Sequence, residues 1–471
     1  MKAFTETDRM LTAEGLRHVA ARSLLIAALL SIEPSAAALA QSRALSPDRH
    51  AATLFQNVQI FDGRNGTLSA PSHVLVRGKV IERISVDPID VAAQPDVQVL
   101  PGGERVLMPG LIDAHWHAML VRPTPAALLA SDIGYSTLLA GVEARATLMR
   151  GFTTIRDLGG PSFSLKRAID EGLLPGPRIY PSGAVITVTS GHGDFRQFSD
   201  LPRTIGGGLS RIEQLGGSMI ADSPDEVRTR VREQLMQGAS QIKLTAGGGV
   251  ASPFSPLDVS TFTEAELRAA VEAAENWGTY VCTHAYTPVA IQRSIAAGVK
   301  CIEHGHLMDD ATARLLAEKG IWLSTQPFLD MSHASGLGPA EQAKLAQVVT
   351  GTDRVYSLAK TYGIKTAFGT DILFSEALAS QQGAMLAALA RWYTPAQALA
   401  MATSTNAELL AMSGPRNPYP GKLGVVEQGA LADLLLVDGN PLEDLALVAD
   451  PERNILVIMK DGEIYKDTLP R

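Results

Sequence analysis

Eight short apolar runs alternate with helical patterns through the middle of this 471-residue chain. Several of the runs are rich in β-branched residues, which favour strands. Strands that alternate with helices predict an α/β fold with parallel strands, and eight of them predict a TIM-like (β/α)8 barrel. The predicted strands span residues 107–115, 153–158, 178–186, 241–246, 280–285, 301–304, 322–325 and 365–370.

Helix signals lie between these runs. Ser223 precedes Pro224 and two acidic residues, which together form a cap, a first-turn proline and a favourable charge at the helix dipole. This helix is expected to end at Gly238. Thr263 and Glu266 have the spacing of a capping box, which predicts the start of a second helix.

Both ends of the chain have a different pattern, with short strands and turns. Residues 54–84 and 97–106 read this way, and the segment from residue 421 onward repeats it. The Asp461-Gly462 pair between two apolar runs predicts a hairpin. We therefore expect one small β-sandwich built from residues 41–107 and 421–471, and a barrel over residues 108–420.

The first 40 residues resemble an export signal. Arg17 and Arg22 precede an uncharged apolar run over residues 23–32, and Ala38-Leu39-Ala40 fits a small-x-small cleavage site. The sequence thus predicts a periplasmic or secreted protein. The alternatives are an N-terminal extension of a cytoplasmic protein, or translation that starts at Met10.

Charge and hydropathy exclude two classes of partner. The formal charge of −8, without a cluster of Lys and Arg, argues against nucleic acid. Beyond the N-terminus no apolar run reaches the length of roughly 18 residues that a membrane span needs. The two cysteines, Cys282 and Cys301, are expected to be buried thiols on opposite faces of their strands. Cys282 lies two residues before His284 and shares its face, whereas Cys301 lies three residues before His304 and faces the other way.

Metal-compatible or charged residues occur at the ends of five predicted strands. In a barrel of this kind, residues at the carboxyl ends of strands line the active site, and converging neutral imidazoles suit zinc and similar metals. Taken singly, each residue also has a structural explanation as a paired lysine, a core histidine or a turn aspartate. The six residues are His115, His117, Lys243, His284, His304 and Asp371.

The motifs MPGLIDAHWH, QIKLTAGGG, THAYTP, IEHGH and FGTDI together resemble the amidohydrolase superfamily from about residue 52 onward. The resemblance implies two divalent metal ions. For these ligands zinc is the expected metal, and cobalt or manganese could substitute for it. One ion would be bound by His115, His117 and Asp371, and the other by His284 and His304. Lys243 would bridge them as an N-carboxylated side chain. A neutral Lys243 paired with Asp371 is the alternative.

Within the superfamily, the SGHGD motif at residues 190–194 resembles the branch of Xaa-Pro and Xaa-Lys/Arg dipeptidases and ochratoxinases. That branch implies cleavage of the amide bond of dipeptides or N-acyl amino acids, including ochratoxin-type aryl amides, by attack of a metal-bridged hydroxide. Asp371 would act as general base, while Tyr286 or His192 would stabilise the oxyanion or bind a substrate carboxylate. Both residues also have structural explanations. A homo-oligomer is expected from the resemblance.

Two other functions compete with this prediction. A single-metal deaminase, or a cyclic-amide hydrolase of the imidazolonepropionase type, would generally lack the lysine that stands at position 243. A non-catalytic scaffold would not need Asp371. Three arginines in the long 190–217 connection would either clamp a carboxylate or remain at the surface, namely Arg196, Arg203 and Arg211. This connection and residues 328–338 are candidate lids.

Overall fold

The computed structural model describes residues 52–200, 207–334 and 336–470. The predicted export signal therefore lies outside the described residues. Within the described part of the chain, none of the helices combines the length and the apolar character needed to cross a membrane.

Eight strands from the two ends of the chain form one sheet, namely β1 Ala52–Ile60, β2 Ser72–Arg77, β3 Val80–Ser85, β4 Val97–Pro101, β5 Val106–Pro109, β16 Leu434–Val437, β17 Ile455–Lys460 and β18 Glu463–Asp467. Their order is β18-β17-β16-β5-β1-β2-β3, with β4 against β1. The link between the two ends is the antiparallel pairing of β16 with β5, in which Leu434 lies opposite Pro109. The predicted hairpin at Asp461-Gly462 is confirmed between β17 and β18.

The central strands are parallel and form the barrel layer of the predicted fold, a (β/α)8 barrel with a small β-sandwich. At the seam between the last and first strands, Asp371 N–H donates to His115 O at 2.8 Å. The strands are β6 Leu111–Trp116, β7 Phe152–Asp157, β8 Arg178–Pro181, β9 Val185–Thr187, β10 Ser218–Ile220, β11 Ile242–Thr245, β12 Val281–Ala285, β13 Cys301–His304, β14 Trp322–Thr325 and β15 Thr366–Phe368.

Helices fill the connections between these strands. Both predicted N-caps are present, since the side chains of Ser223 and Thr263 accept hydrogen bonds from backbone N–H groups in the first turn. The α-helices are Pro125–Ala130, Ile133–Met149, Phe163–Asp170, Arg211–Gln214, Pro224–Gln237, Glu264–Glu275, Pro288–Ala297, Asp310–Lys319, Pro339–Tyr362, Glu376–Ala379, Gln382–Ala387, Pro395–Ala400, Asn406–Ala411 and Pro451–Asn454.

Two predicted strands are each divided in the structure. The run at 107–115 separates at Gly110 into β5 of the sandwich and β6 of the barrel, and the run at 178–186 separates into β8 and β9 around Gly183. At Gly110 a Cβ would lie 2.1 Å from Thr153 Oγ1, so the backbone passes too close for any side chain. Gly183 has a φ of +74°, which interrupts an extended strand.

The cysteine prediction is half right. Both thiols are buried and free, but the expectation of opposite faces is wrong. Cys282 and Cys301 are register partners on adjacent parallel strands and belong to one buried cluster. The prediction failed because it counted alternation back from His304, whose φ of +78° breaks the alternation at the end of β13.

Candidate active site and metal centre

Two barrel strands bring histidines to a carboxylate at the end of a third. His115 Nε2 and His117 Nε2 lie 3.1 and 3.0 Å from Asp371 Oδ1, and His304 Nδ1 lies 3.9 Å from Oδ2. Ligand atoms of His115, His304 and Asp371 all lie within 4.8 Å of one another, a spacing that could hold a metal ion. The grouping joins the ends of the first, sixth and eighth barrel strands.

The local backbone at this cluster is unusual. His304 and Asp371 are non-glycine residues with positive φ values of +78° and +52°, a backbone conformation that residues other than glycine rarely adopt. Nearby, a Cβ at Gly369 would lie 2.5 Å from the Cβ of His115, so only glycine lets the last strand approach the first so closely. Strained residues of this kind cluster at functional sites.

Lys243 and His284 line the same cavity as the cluster. The His284 ring centroid lies 4.3 Å from that of His304. Lys243 is 3% exposed, and its ammonium forms no ion pair or hydrogen bond with the residues that the structure describes. A direct contact between Lys243 and Asp371, which the alternative of a neutral, paired lysine requires, is therefore absent from the described part of the chain.

Neighbouring acceptors orient three of the histidine rings. His115 Nδ1 lies 2.9 Å from Glu303 Oε2, His284 Nε2 lies 2.9 Å from Gly248 O, and His304 Nδ1 lies 2.7 Å from Gln326 Oε1. A ring nitrogen that donates to such an acceptor leaves the other nitrogen with a free lone pair. The donor set of imidazoles, carboxylate and lysine therefore fits divalent metal ions of the zinc type.

The local electrostatics keep these histidines and Asp371 in the protonation states that bind metal ions. Burial lowers the pKa of His117, His284 and His304, so these imidazoles are neutral near pH 7. Although burial opposes it, the neighbouring His115 holds the pKa of Asp371 well below its usual range. Neutral imidazoles and an ionised carboxylate are the forms that bind metals.

Sequence reasoning missed the buried groups behind the ligands. Glu303 pairs with Arg156 Nη2 at 2.6 Å, and this pair keeps the pKa of Glu303 below its usual range despite burial. Asp113 accepts hydrogen bonds from the backbone N–H groups of His115 and Thr370, at 3.0 and 3.1 Å. A charged residue inside an apolar strand was the available signal for Asp113, Arg156 and Glu303.

Tyr286 and His192 lie beside the predicted metal ligands. The Tyr286 ring centroid lies 4.8 Å from His284 and 5.0 Å from His304, and the His192 ring lies 4.3 Å from His284. His192 Nδ1 lies 2.8 Å from Ser252 Oγ. Burial lowers the pKa of His192 to about 3 and raises that of Tyr286, so both side chains are neutral hydrogen-bonding groups.

Above the cluster, the cavity of about 170 Å³ is mainly apolar. Of the arginines considered from sequence, Arg196 pairs with Asp194 at 2.7 Å and Arg211 donates to the carbonyls of Leu129 and Ser131. Neither lines the cavity, and Arg203 lies outside the described residues. The apolar lining comprises Leu120, Leu128, Val185, Phe195, Ile212, Val250, Ala251, Phe328, Leu337, Leu345, Leu373, Phe374 and Leu378.

The fold and this cluster define a barrel enzyme with a candidate metal centre. A family model described as the amidohydrolase family matches residues 106–465, and the chain belongs to that family. It is 30% identical to the ochratoxinase of Aspergillus niger over 390 residues, which cover 77% of this chain and 76% of that relative. The resemblance predicted from the motifs is thus confirmed.

Two solved structures show the same architecture. An amidohydrolase shares 38% identity at a TM-score of 0.81, covering 89% of this chain and 100% of that one. A prolidase complexed with N-methylphosphonate-L-proline shares 34% identity at a TM-score of 0.81, covering 88% of this chain and 100% of that one. The chain is accordingly a hydrolase that acts on small-molecule substrates.

Proposed function

We propose that this protein is a binuclear metal hydrolase that cleaves the amide bond of dipeptides or N-acyl amino acids next to a terminal carboxylate. The observation that carries the proposal is Lys243, which is buried at the same cavity as His284, His304 and Asp371 and lacks a pairing partner among the described residues. An N-carboxylated Lys243 would add the bridging anion that two metals require. Zinc is the proposed metal.

In this proposal His115, His117 and Asp371 would hold one ion, His284 and His304 would hold the other, and Lys243 would contribute to both sites. Two divalent ions, when bound, would supply hydroxide near neutral pH and polarise an amide carbonyl. This chemistry is available to the family in general, and the residues found here fit it.

The chain's own residues then move the proton and stabilise charge. Asp371 is held as a carboxylate, so its oxygens can accept a proton from the attacking water and pass it to the leaving nitrogen. The neutral Tyr286 hydroxyl, beside His284 and His304, can donate to the oxyanion that forms on the carbonyl. His192 is a second donor at the same position.

The lining of the cavity supports substrates with an apolar or aromatic group. Phe195, Phe328 and Phe374 face the cavity along with several leucines. Binding of an apolar group to this surface is favourable, because it removes apolar area from water. A charged group would lose its hydration there, which is unfavourable. Ochratoxin-type aryl amides, like the substrate named for the Aspergillus relative, belong among the candidates.

We also propose that the mature protein begins near residue 41, is periplasmic or secreted, and forms a homo-oligomer. The division into sandwich and barrel belongs to the same proposal, with the first boundary at Gly110 rather than at residue 107, because β5 Val106–Pro109 pairs within the sandwich sheet, and the second near residue 420. Mass spectrometry of the exported protein and its mass in solution test these points.

Metal analysis together with a substrate panel tests the function. We expect two metal ions per chain in the wild type, and a loss of both bound metal and activity in Lys243→Ala. Lys300→Ala, on a different connection, is the matched control. One ion per chain with undiminished activity in Lys243→Ala would contradict the proposal and favour a single-metal deaminase or cyclic-amide hydrolase.

A further inference from the structure

The helix Ile133–Met149, which follows the first barrel strand, turns its acidic residue inward and several apolar residues toward solvent. Glu143 is buried and pairs with Arg122 at 2.8 Å and with Arg150 at 2.6 Å. A helix on the surface of a barrel normally does the reverse, with an apolar stripe inward and charged residues outward. The outer face of this helix therefore has the character of a covered surface.

The outward residues form one stripe along the helix. Tyr135, Leu138, Val142 and Arg145 follow one another at spacings of three, four and three residues, which places them on the same side of a helix. Leu138 is 73% exposed and Val142 is 56% exposed. Single exposed apolar side chains need no explanation, but a row of large ones marks an interaction site. The same spacing is the pattern by which two helices pair along a seam.

The apolar surface continues from the helix onto Leu173 and Leu174, which are also exposed. A Cβ at Gly141 would lie 3.4 Å from Leu174 Cδ1, so this leucine lies against the helix. The helix of 17 residues is about 25 Å long. A stable dimer interface buries about 800 Å² on each partner, which requires a surface wider than one such helix. The two leucines supply part of that width.

The stripe is self-complementary when two copies of the helix lie antiparallel. Tyr135 and Val142 are equally distant from the point midway between residues 138 and 139. Asp132 and Arg145 are equally distant from the same point. A two-fold axis there would place each Tyr135 opposite the Val142 of the other copy, and the acidic end of each helix beside the basic end of the other. Arg145 has no ion pair within the described residues, so its charge is available to a partner.

Charge favours a second copy of the chain over a membrane. The formal charge of −8 makes two copies repel each other in general. This face limits the repulsion, because Glu143 is the acidic residue of the helix and it points inward. A helix that binds an anionic lipid surface has lysines and arginines along its polar face, whereas Arg145 is the one basic residue within this helix.

We propose that the stripe Tyr135, Leu138, Val142 and Arg145 is the contact of a two-fold symmetric dimer, in which the helix Ile133–Met149 lies antiparallel to the same helix of a second copy. The inference goes beyond the hydrolase activity. It rests on the proposed function only in taking from it that the protein is a homo-oligomer, and it adds the surface and the orientation of the partner.

The molecular mass in solution tests the contact. Light scattering of the full-length protein at micromolar concentration should give half the wild-type mass or less for Val142→Asp, because a carboxylate would lose its hydration in the apolar seam. Val289→Asp is the matched control, since Val289 is 58% exposed on the helix Pro288–Ala297. Its mass should equal that of the wild type. The double variant Tyr135→Lys/Val142→Asp should recover the wild-type mass, because the two new charges face each other between copies.

A cross-link tests the position of the two-fold axis without a new charge. Leu138→Cys places a thiol beside the same thiol of the second copy, whereas the natural cysteines Cys282 and Cys301 are buried. We expect a covalent dimer of Leu138→Cys after mild oxidation, seen by electrophoresis under non-reducing conditions. Val289→Cys should give none.

Each result decides the inference. An unchanged mass in Val142→Asp, an equal loss in Val289→Asp, or no cross-link in Leu138→Cys would overturn the inference alone, and a double variant as small as Val142→Asp would overturn the antiparallel orientation. A monomeric wild type would overturn the proposed homo-oligomer as well, and its binding to anionic lipid vesicles would assign the face to a membrane. If circular dichroism shows that Val142→Asp is misfolded, the cross-link decides. None of these measurements needs turnover, so a failure of the proposed hydrolase activity leaves their outcome unchanged.

Discussion

The cavity has two parts that are built in different ways. We call the candidate metal ligands at the strand ends the floor, and the apolar residues that line the cavity above them the wall. On the floor, strand ends supply His115, His284 and His304, and each ring has one nitrogen engaged by Glu303, a backbone carbonyl or Gln326. The wall comes mainly from connections and has apolar side chains that can repack. The difference indicates that the chemistry depends on precise orientation, whereas selectivity depends on the shape and apolar character of the connections.

Removal of the floor carboxylate should have the largest effect. Asp371→Asn keeps the shape of the side chain but removes the charge and the proton acceptor, so we expect kcat to fall by about 10²–10⁴-fold. Steady-state kinetics of the metal-loaded variant, with circular dichroism to confirm folding, measures this. An undiminished kcat in Asp371→Asn would show that this carboxylate is not the general base.

Disruption of the buried Arg156–Glu303 pair should have the second-largest effect. Glu303→Gln leaves the fully buried Arg156 without its charge partner, and loss of one member of such a pair costs about 3–5 kcal/mol of unfolding free energy. It also removes the anionic partner of His115, so metal affinity should fall about 10–100-fold. Urea denaturation and competition with a chelator measure the two effects.

An exposed pair provides the control for Glu303. Asp353 pairs with Arg391 at 2.6 Å, and both side chains are more than half exposed. Asp353→Asn should cost less than about 1 kcal/mol, because solvent screens surface pairs, and it should leave metal affinity unchanged. Equal effects of Asp353→Asn and Glu303→Gln would show that the buried pair has no special role in the floor.

The wall should show its effect in selectivity rather than in the chemical step. Phe374→Ala removes a large apolar side chain from the cavity, so kcat/KM for an aromatic dipeptide should fall about 10–100-fold relative to a glycine-containing one. Phe198, which is 93% exposed, gives the control Phe198→Ala. A uniform loss with both dipeptides would place Phe374 in the chemistry instead.

Much of the floor was predictable from sequence, because alternation places strand-end residues and the motifs mark them. The order of strands and the helix caps followed from local patterns in the same way. The exceptions have physical reasons. The split at Gly110 depends on close contact with Thr153, which is 43 residues away in sequence, and the orientation of His304 depends on a positive φ that no pattern of apolar residues reveals.

The wall was less predictable because its residues come from connections without periodicity. His333 follows strand β14, whose carboxyl end carries no predicted ligand; the sequence marked residues 328–338 as a candidate lid but singled out no residue within them. Arg196 shows the opposite problem. Its charge suggested a clamp for a carboxylate, but the neighbouring Asp194 binds the guanidinium in the folded protein. Pairing between such side chains becomes apparent only in three dimensions.

The smallest predicted effect concerns how the wall is held over the floor. Lys344, on the helix Pro339–Tyr362, donates to the carbonyls of Gly249, Ser252 and Ser255 at 2.8, 2.7 and 3.3 Å. This connection carries the Ser252 hydroxyl that pairs with His192. Lys344→Met should therefore raise KM by a few-fold and lower the unfolding free energy by about 1 kcal/mol, since the ammonium is partly exposed.

Lys360 gives a matched control on the same helix, where it donates to Trp392 O. Lys360→Met should leave KM unchanged, because Trp392 does not line the cavity. If Lys344→Met and Lys360→Met have the same KM as wild type, the connection keeps its position without the ammonium. The wall is then shaped by apolar packing alone, and Ser252 needs no support from the helix to orient His192.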